Sequence, residues 1–232
     1  MVKSGTLYKR GGRKSGELKV SHLVAKLKAI AWSLRWAGLG LILLAVGGIG
    51  FIFSPLVYEE TRYYLQPPTP QSKLGSALRD IPNWQPPNAA YSLYIPKIRA
   101  ISQVIANVPV ADETAYLAAL KLGVAEAAGL SHPGQPGTTY LFAHSTDSPL
   151  NFARYNAVFY LLHKVEVGDW VEVVYQNKLL RYKVAQKLIL EANDTRYLTT
   201  GNSDEILVLQ TCYPPGTTWK RLVVVARRQT GP

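Results

Sequence analysis

A chain of 232 residues with 47% hydrophobic content, 18 glycines and 15 prolines has room for one ordinary domain plus extensions, and its many turn-formers exclude a molecule built only of long helices. The formal charge of +11 points toward nucleic acid until it is mapped: nine Lys or Arg against Glu17 alone lie in residues 1–35. The remaining residues carry only +3, so the folded part is nearly balanced and no nucleic-acid partner is expected.

In chain order, residues 1–35 are a basic cytoplasmic tail, either a disordered arm or a surface helix. Leu23, Val24, Leu27 and Ile30 recur there at helical spacing, suited to anionic lipid headgroups. From Trp36 to Tyr58 no residue carries a formal charge, and these 23 positions exceed the roughly 20 needed to cross a bilayer as a helix. Trp32, Trp36 and Tyr58 suit the two interfaces, Lys and Arg precede the span, and Glu59 and Glu60 follow it. The expectation is a single-pass cell-membrane anchor over 36–58, with a cytoplasmic N-terminus and an extracellular remainder. A cleavable signal peptide has a shorter apolar region and a small-residue cleavage site, which is not evident here. A core helix would show a polar face, and this segment has none.

Residues 59–90 read as an extended spacer, with Pro67, Pro68, Pro70, Pro82, Pro86 and Pro87 among Gln, Ser and Asn, and with room for one helical turn over 76–81. Trp84 beside Pro86 offers an aromatic that would fill an apolar groove as a lid; a solvated linker is the plainer reading. The domain proper is expected over 91–232. It alternates short apolar runs with turns, and strands are predicted over 91–98, 101–107, 138–143, 170–175, 179–190, 205–211 and 219–226. Asp112-Glu113 opens a helix over 114–127, closed by Gly129, and a second short helix is predicted over 150–163. The fold class is therefore mainly β, a barrel or sandwich of about seven to eight strands with one or two short helices, preceded by the transmembrane helix.

Outside the cell, cysteines usually pair, and this chain has one, Cys212. It closes the apolar run Leu-Val-Leu-Gln-Thr-Cys (207–212). A thiol with a pKa near 8.5 needs a base or a positive charge to act as a nucleophile. Of the three histidines beyond the anchor, His132 lies in a Ser-His-Pro-Gly loop and His163 in a partly charged helical stretch. His144 alone ends an apolar strand, Thr-Thr-Tyr-Leu-Phe-Ala-His (138–144), where a side chain is both held and reachable. Arg221 opens the next strand after the thiol and suits an oxyanion clamp, although spacing alone does not separate it from Lys220, Arg227 or Arg228. The bland readings are a solvated arginine, a histidine satisfied in a turn and a thiol buried as a small hydrophobe.

The stretch 207–226, in which a Leu-x-Thr-Cys strand end is followed after a loop by Arg221 opening a strand, resembles the signature of sortases. Leu-Tyr-Ile-Pro-Lys-Ile (93–98) resembles the first barrel strand of that family, and Pro-Gly-Gln-Pro-Gly-Thr-Thr-Tyr-Leu-Phe-Ala-His (133–144) its loop and histidine strand. Val-Gly-Asp-Trp-Val-Glu-Val (167–173) is similar to a later Gly-Asp turn. The resemblance covers 93–228 and implies a closed sortase-type β-barrel, with Cys212 as nucleophile, His144 as acid/base and Arg221 as clamp. It further implies cysteine transpeptidation: cleavage of a Leu-Pro-x-Thr-Gly-like sorting motif in secreted proteins through a thioacyl-enzyme. The acyl group then passes to an amine of a cell-wall (peptidoglycan) precursor or a pilin. No acidic cluster suggests a metal, and no cofactor is implied. With ordinary pKa values of 8.5 and 6.5, a thiolate–imidazolium pair would be populated to only about 1% midway between them, which implies slow turnover and a bell-shaped pH profile.

Alternatives fit less well. An L,D-transpeptidase places its histidine shortly before Ser-x-Gly-Cys, whereas Cys212 has no preceding glycine and lies far from His144. A papain-like peptidase opens a helix with its cysteine and places the histidine later. A non-catalytic anchored β-domain for assembly or adhesion, with a buried thiol, remains the rival from another class. The chain is not expected to be a sorting substrate itself, since Gln-Thr-Gly (229–231) lacks a preceding Leu-Pro and a hydrophobic tail.

Overall fold

The computed structural model describes residues 14–65, 84–145, 158–198 and 203–229, in two compact units, Met1–Phe51 and Ile52–Pro232. The proline-rich part of the spacer, the turn anticipated at 76–81 and the first part of the helix anticipated over 150–163 lie outside the described residues.

Helix α1 runs Lys14–Leu65 and contains one stretch long and apolar enough to cross a membrane, His22–Ser54. None of its most apolar window is buried, with Leu44 and Phe51 among the most exposed side chains, and a core helix would be covered instead. The helix also takes in residues 59–65, which the sequence assigns to an extended spacer. No proline interrupts the chain there before Pro67, Arg62 pairs with Glu59 one turn back at 3.6 Å, and Tyr63 packs against the barrel core. Glu60 accepts from Lys164 at 3.3 Å, and Lys164 also donates to the Tyr64 hydroxyl at 3.1 Å.

The second unit is built on eight strands: β1 (Tyr91–Ile95), β2 (Ala100–Val108), β3 (Val124–Ala127), β4 (Gly137–Phe142), β5 (Trp170–Tyr175), β6 (Lys178–Glu191), β7 (Glu205–Tyr213) and β8 (Lys220–Arg228). They close into a barrel in the order β1-β2-β3-β4-β7-β8-β6-β5, with β5 returning to β1. The interior is filled by alternate residues, such as Leu93 and Ile95 on β1, Val171 and Val173 on β5, Leu207 and Leu209 on β7, and Leu222 and Val224 on β8.

Two pairings are parallel, β2 with β3 and β4 with β7. A parallel pair needs a crossover. For β2 and β3 it is helix α2 (Glu113–Leu122), capped by the Asp112 carboxylate accepting from Ala115 N at 3.1 Å. The sequence predicts this helix through 127. The structure ends it at Leu122 and sends Val124–Ala127 into the barrel as β3. Gly123 allows the change, because a Cβ there would sit 2.5 Å from the Gln103 carbonyl oxygen of the neighbouring strand. Of the second predicted helix, the described part is a short 3-10 turn, Tyr160–Lys164.

Trp84 neither floats nor covers a groove. Its indole N–H donates to Glu172 at 2.7 Å, its ring packs on Tyr94, and Glu172, fully buried on β5, also pairs with Arg181 at 3.0 Å.

Candidate active site

Strand β7 has two faces. Leu207, Leu209 and Thr211 point into the barrel and are buried, while Ile206, Val208, Gln210 and Cys212 stand on the outer face. That outer face is itself covered at one end. Tyr140 of β4, Ile206 and Val208 of β7, and Val223 and Val225 of β8 form a second apolar cluster beneath Leu190, Tyr197 and Leu198. Burial on both sides explains why 206–209 and 222–226 read as unbroken apolar runs rather than alternating ones. Toward Gln210 and Cys212 the cover opens into a cavity of about 540 Å³, and Cys212, His144 and Arg221 all line it.

Register brings two of them together. In the antiparallel β7–β8 pair, Cys212 stands directly opposite Arg221. Such partners share a face, with Cβ atoms about 5 Å apart. Lys220 stands opposite Tyr213 and pairs with Glu191 at 3.1 Å, and Arg227 stands opposite Ile206 at the far end, where it binds Asp204 at 2.7 Å. The ladder therefore distinguishes the arginines that spacing left equivalent. The Arg221 guanidinium donates to the carbonyl oxygens of Thr218 at 3.0 Å and Lys220 at 3.2 Å, which fixes its stem against the loop before β8.

His144 arrives from the other side. Strands β4 and β7 are parallel, with Tyr140 beside Val208 and Phe142 beside Gln210. Continuing that register by two residues sets His144 alongside Cys212. Beyond the strand end the backbone is still held: Ala143 N donates to the Gln210 carbonyl at 3.2 Å, and Thr211 Oγ1 donates back to the Ala143 carbonyl at 2.9 Å. Phe159 N donates to the carbonyl of His144 itself at 3.3 Å, and Phe159 is fully buried. The other histidines are elsewhere. His132 Nδ1 lies 3.0 Å from buried Glu126 and its ring stacks on Tyr175, while His163 Nδ1 lies 3.0 Å from the Tyr160 carbonyl. Neither lines the cavity.

Cys212 is half-buried and opens onto the cavity, which does not suit a thiol serving as core filler. Sequence reasoning named these three residues but missed the cleft floor. Tyr140 is buried and its hydroxyl donates to Gln210 Oε1. Burial pushes that hydroxyl above the ordinary tyrosine range; the Arg221 charge pulls it back and Asp194 adds to the rise. Counting back by two from Cys212 and from His144 would have found Gln210, Phe142 and Tyr140. The wall formed by Asp194, Thr195 and Leu198 had no such signal. Among the described residues no cluster of three His, Cys, Asp or Glu side chains could hold a metal ion.

Chemically, a thiol, an imidazole and a guanidinium facing one peptide-sized cavity suit acyl transfer through a thioester. Comparisons agree. The sortase domain model matches residues 93–229. Sortase D of Bacillus subtilis (strain 168) is 24% identical over 203 residues, covering 82% of this chain and 94% of that relative. Among solved structures, sortase C1 from Streptococcus suis is 28% identical with a TM-score of 0.50, covering 62% of this chain and 74% of its own. A lid mutant of sortase A from Corynebacterium diphtheriae shares the fold at a TM-score of 0.51 and 24% identity, covering 65% of this chain and 74% of its own. With more than half its length matched by the family model and a closed eight-stranded barrel carrying a thiol cleft on its outer face, the chain belongs to the sortase family of cysteine transpeptidases.

Proposed function

We propose that Cys212, His144 and Arg221 carry the transpeptidation, acting on a Leu-Pro-x-Thr-Gly-like motif in the C-terminal sorting signal of secreted proteins. The Cys212 thiolate attacks the scissile carbonyl carbon, and Arg221 donates to the oxygen as negative charge develops there. The tetrahedral intermediate collapses with loss of the C–N bond. His144, as imidazolium, protonates the departing amine, leaving a thioester on Sγ. An incoming amine of a peptidoglycan precursor or pilin gives its proton to His144, attacks the thioester carbonyl and expels the thiolate. A thioester is reactive enough to be aminolysed yet stable enough to await the second substrate.

The observation that carries this reading is the Cys212–Arg221 register at the mouth of a cleft also lined by His144. The apolar span within α1 and the family support membrane attachment. The domain plan proposed with this reading is a basic tail over 1–35 in contact with anionic lipid on the cytoplasmic side, an anchor over 36–58, a connecting segment over 59–90 and the catalytic barrel over 91–232 outside. Substrates tethered by their own tails would meet this enzyme in the plane of the membrane.

The test is mass spectrometry of the full chain in detergent micelles, incubated with Leu-Pro-x-Thr-Gly-like peptides with and without triglycine. A thioacyl mass on Cys212 and a Thr–triglycine product, both lost in Cys212→Ala, are expected. An adduct on another residue, or product from Cys212→Ala, would remove Cys212 from the role.

A further inference from the structure

The cleft floor holds an amide whose two ends are in different situations. Gln210 Oε1 accepts from the Tyr140 hydroxyl, so the carbonyl end is occupied. The Nε2 end brings two N–H donors and has no acceptor among the described residues, although Gln210 lines the cavity. Tyr140 is buried on β4 with its ring packed in the apolar cluster, and the bond from its hydroxyl to Oε1 sets the amide with its carbonyl end toward that ring and Nε2 away from it. Burial keeps the hydroxyl protonated well beyond neutral pH. The cleft thus presents a pair of oriented donors to whatever fills it.

Position ties these donors to the substrate. Gln210 is two residues from Cys212 on the same strand and the same face, about 6–7 Å away along β7. An extended peptide whose scissile carbonyl reaches Cys212 therefore passes over Gln210 within two or three residues of the cut. Side chains of an extended strand stand perpendicular to its plane, so the group that meets the floor is a substrate side chain rather than its backbone. An aliphatic side chain there would strip water from the two donors without replacing it, and an acceptor would satisfy them.

We propose that Gln210, oriented by Tyr140, is a specificity-determining residue that selects one sorting-motif side chain carrying a hydrogen-bond acceptor (Asp, Glu, Asn, Gln, Ser or Thr) over an aliphatic one. Tyr140 is the positioning residue. The proposal rests on Cys212 being the thiol at which the motif is cut, since that fixes which part of the motif lies over the floor.

The experiment uses the full chain in detergent micelles and two peptide sets, each varied singly at every motif position. One set carries a scissile amide and is read by product mass. The other carries a chloromethyl ketone in place of the scissile bond and is read by alkylation of Cys212, which needs only groove binding and a thiol. At one position the wild type is expected to favour acceptor side chains about tenfold over Leu or Val. Gln210→Leu is expected to erase or invert that preference at that position alone, raising the rate with the aliphatic peptide. Tyr140→Phe is expected to reduce the preference to about twofold, through KM rather than kcat. A Gln210→Leu profile that superimposes on the wild type, or that falls equally for every peptide, overturns the proposal. If no scissile peptide reacts while the alkylating set still shows the selectivity and its loss in Gln210→Leu, the catalytic reading fails and the specificity reading stands. If transfer proceeds without selectivity at any position, the reverse holds.

Discussion

Two histidines on this barrel each have polar company, and only one of the two lines the cleft that holds the thiol. His132 has a partner of the kind that orients a catalytic imidazole, a carboxylate 3.0 Å from Nδ1, and Glu126 is almost fully buried. That carboxylate also accepts from the Tyr91 hydroxyl at 2.8 Å and from Asn107 N at 3.3 Å, and the His132 ring stacks on Tyr175. The cluster joins β1, β2, β3 and β5, and none of its residues lines the cleft that holds the thiol. His144 follows β4, across β7 from the strand that carries Arg221, and lines one open cleft with the thiol. A well-partnered histidine is the commoner structural device. What marks a catalytic one is a nucleophile in register and space for a substrate.

The largest test of that contrast is removal of the thiol. Cys212→Ala is expected to lower transfer by about 10⁴-fold or more, to background, with the melting temperature nearly unchanged because the side chain is small and half-buried. His144→Gln is expected to cost about 10³-fold in the thioacylation rate, measured in single turnovers, and to remove one limb of the pH profile. An unimpaired His144→Gln enzyme would break the comparison outright.

Arg221→Lys comes next. Lysine keeps the charge on a single nitrogen, whereas Arg221 binds the Thr218 and Lys220 carbonyls through Nη1 and has Nε and Nη2 besides to meet a substrate carbonyl oxygen. A fall of about 10²-fold in kcat/KM is expected, mostly in kcat. The control is Arg227→Lys, at the other end of β8 and paired with Asp204, which should lie within about twofold of the wild type.

Much of this architecture was legible in the sequence, for identifiable reasons. Strands β5, β6, β7 and β8 lie within a residue or two of their predicted bounds, because apolar, β-branched runs end at turn residues there. Strand β3 was not legible. Val124–Ala127 continues an alanine- and leucine-rich segment, and the signal that divides it is the close approach of Gly123 to Gln103, a tertiary contact. Residues 59–65 carry no spacer signal of their own, since the prolines begin only at Pro67, and the structure continues the helix through them. At the site, the lone thiol and the strand-end histidine stood out locally, whereas spacing left Arg221 level with its neighbours; only the family resemblance singled it out, and the β7–β8 register adds the physical difference by setting it opposite Cys212. The roles of Glu126 and Glu172 were invisible for the same reason: a glutamate in an apolar strand reads as solvated until its partners arrive from distant strands.

Stability separates the two histidines in the opposite sense. Glu126→Leu leaves the Tyr91 hydroxyl, Asn107 N and His132 without their shared acceptor in a buried setting, and removing one member of such a network costs about 2–4 kcal/mol. For a domain of this size that is a melting shift of roughly 5–15 °C by calorimetry, with transfer at a temperature where the variant is folded remaining near wild type.

His132→Gln is the smallest effect and the sharpest control. Its side chain is about a quarter exposed, and a glutamine can still donate to Glu126 while the stack on Tyr175 is lost. The expected cost is about 1 kcal/mol, a shift of about 2–4 °C, with kcat and the pH profile of transfer unchanged. Set beside His144→Gln, the same substitution at two sites then gives opposite signatures, one read by melting and one by rate. A pH limb that moved in His132→Gln instead would mean that the Glu126 cluster is coupled to the cleft through the barrel wall. Catalysis would then draw on both histidines.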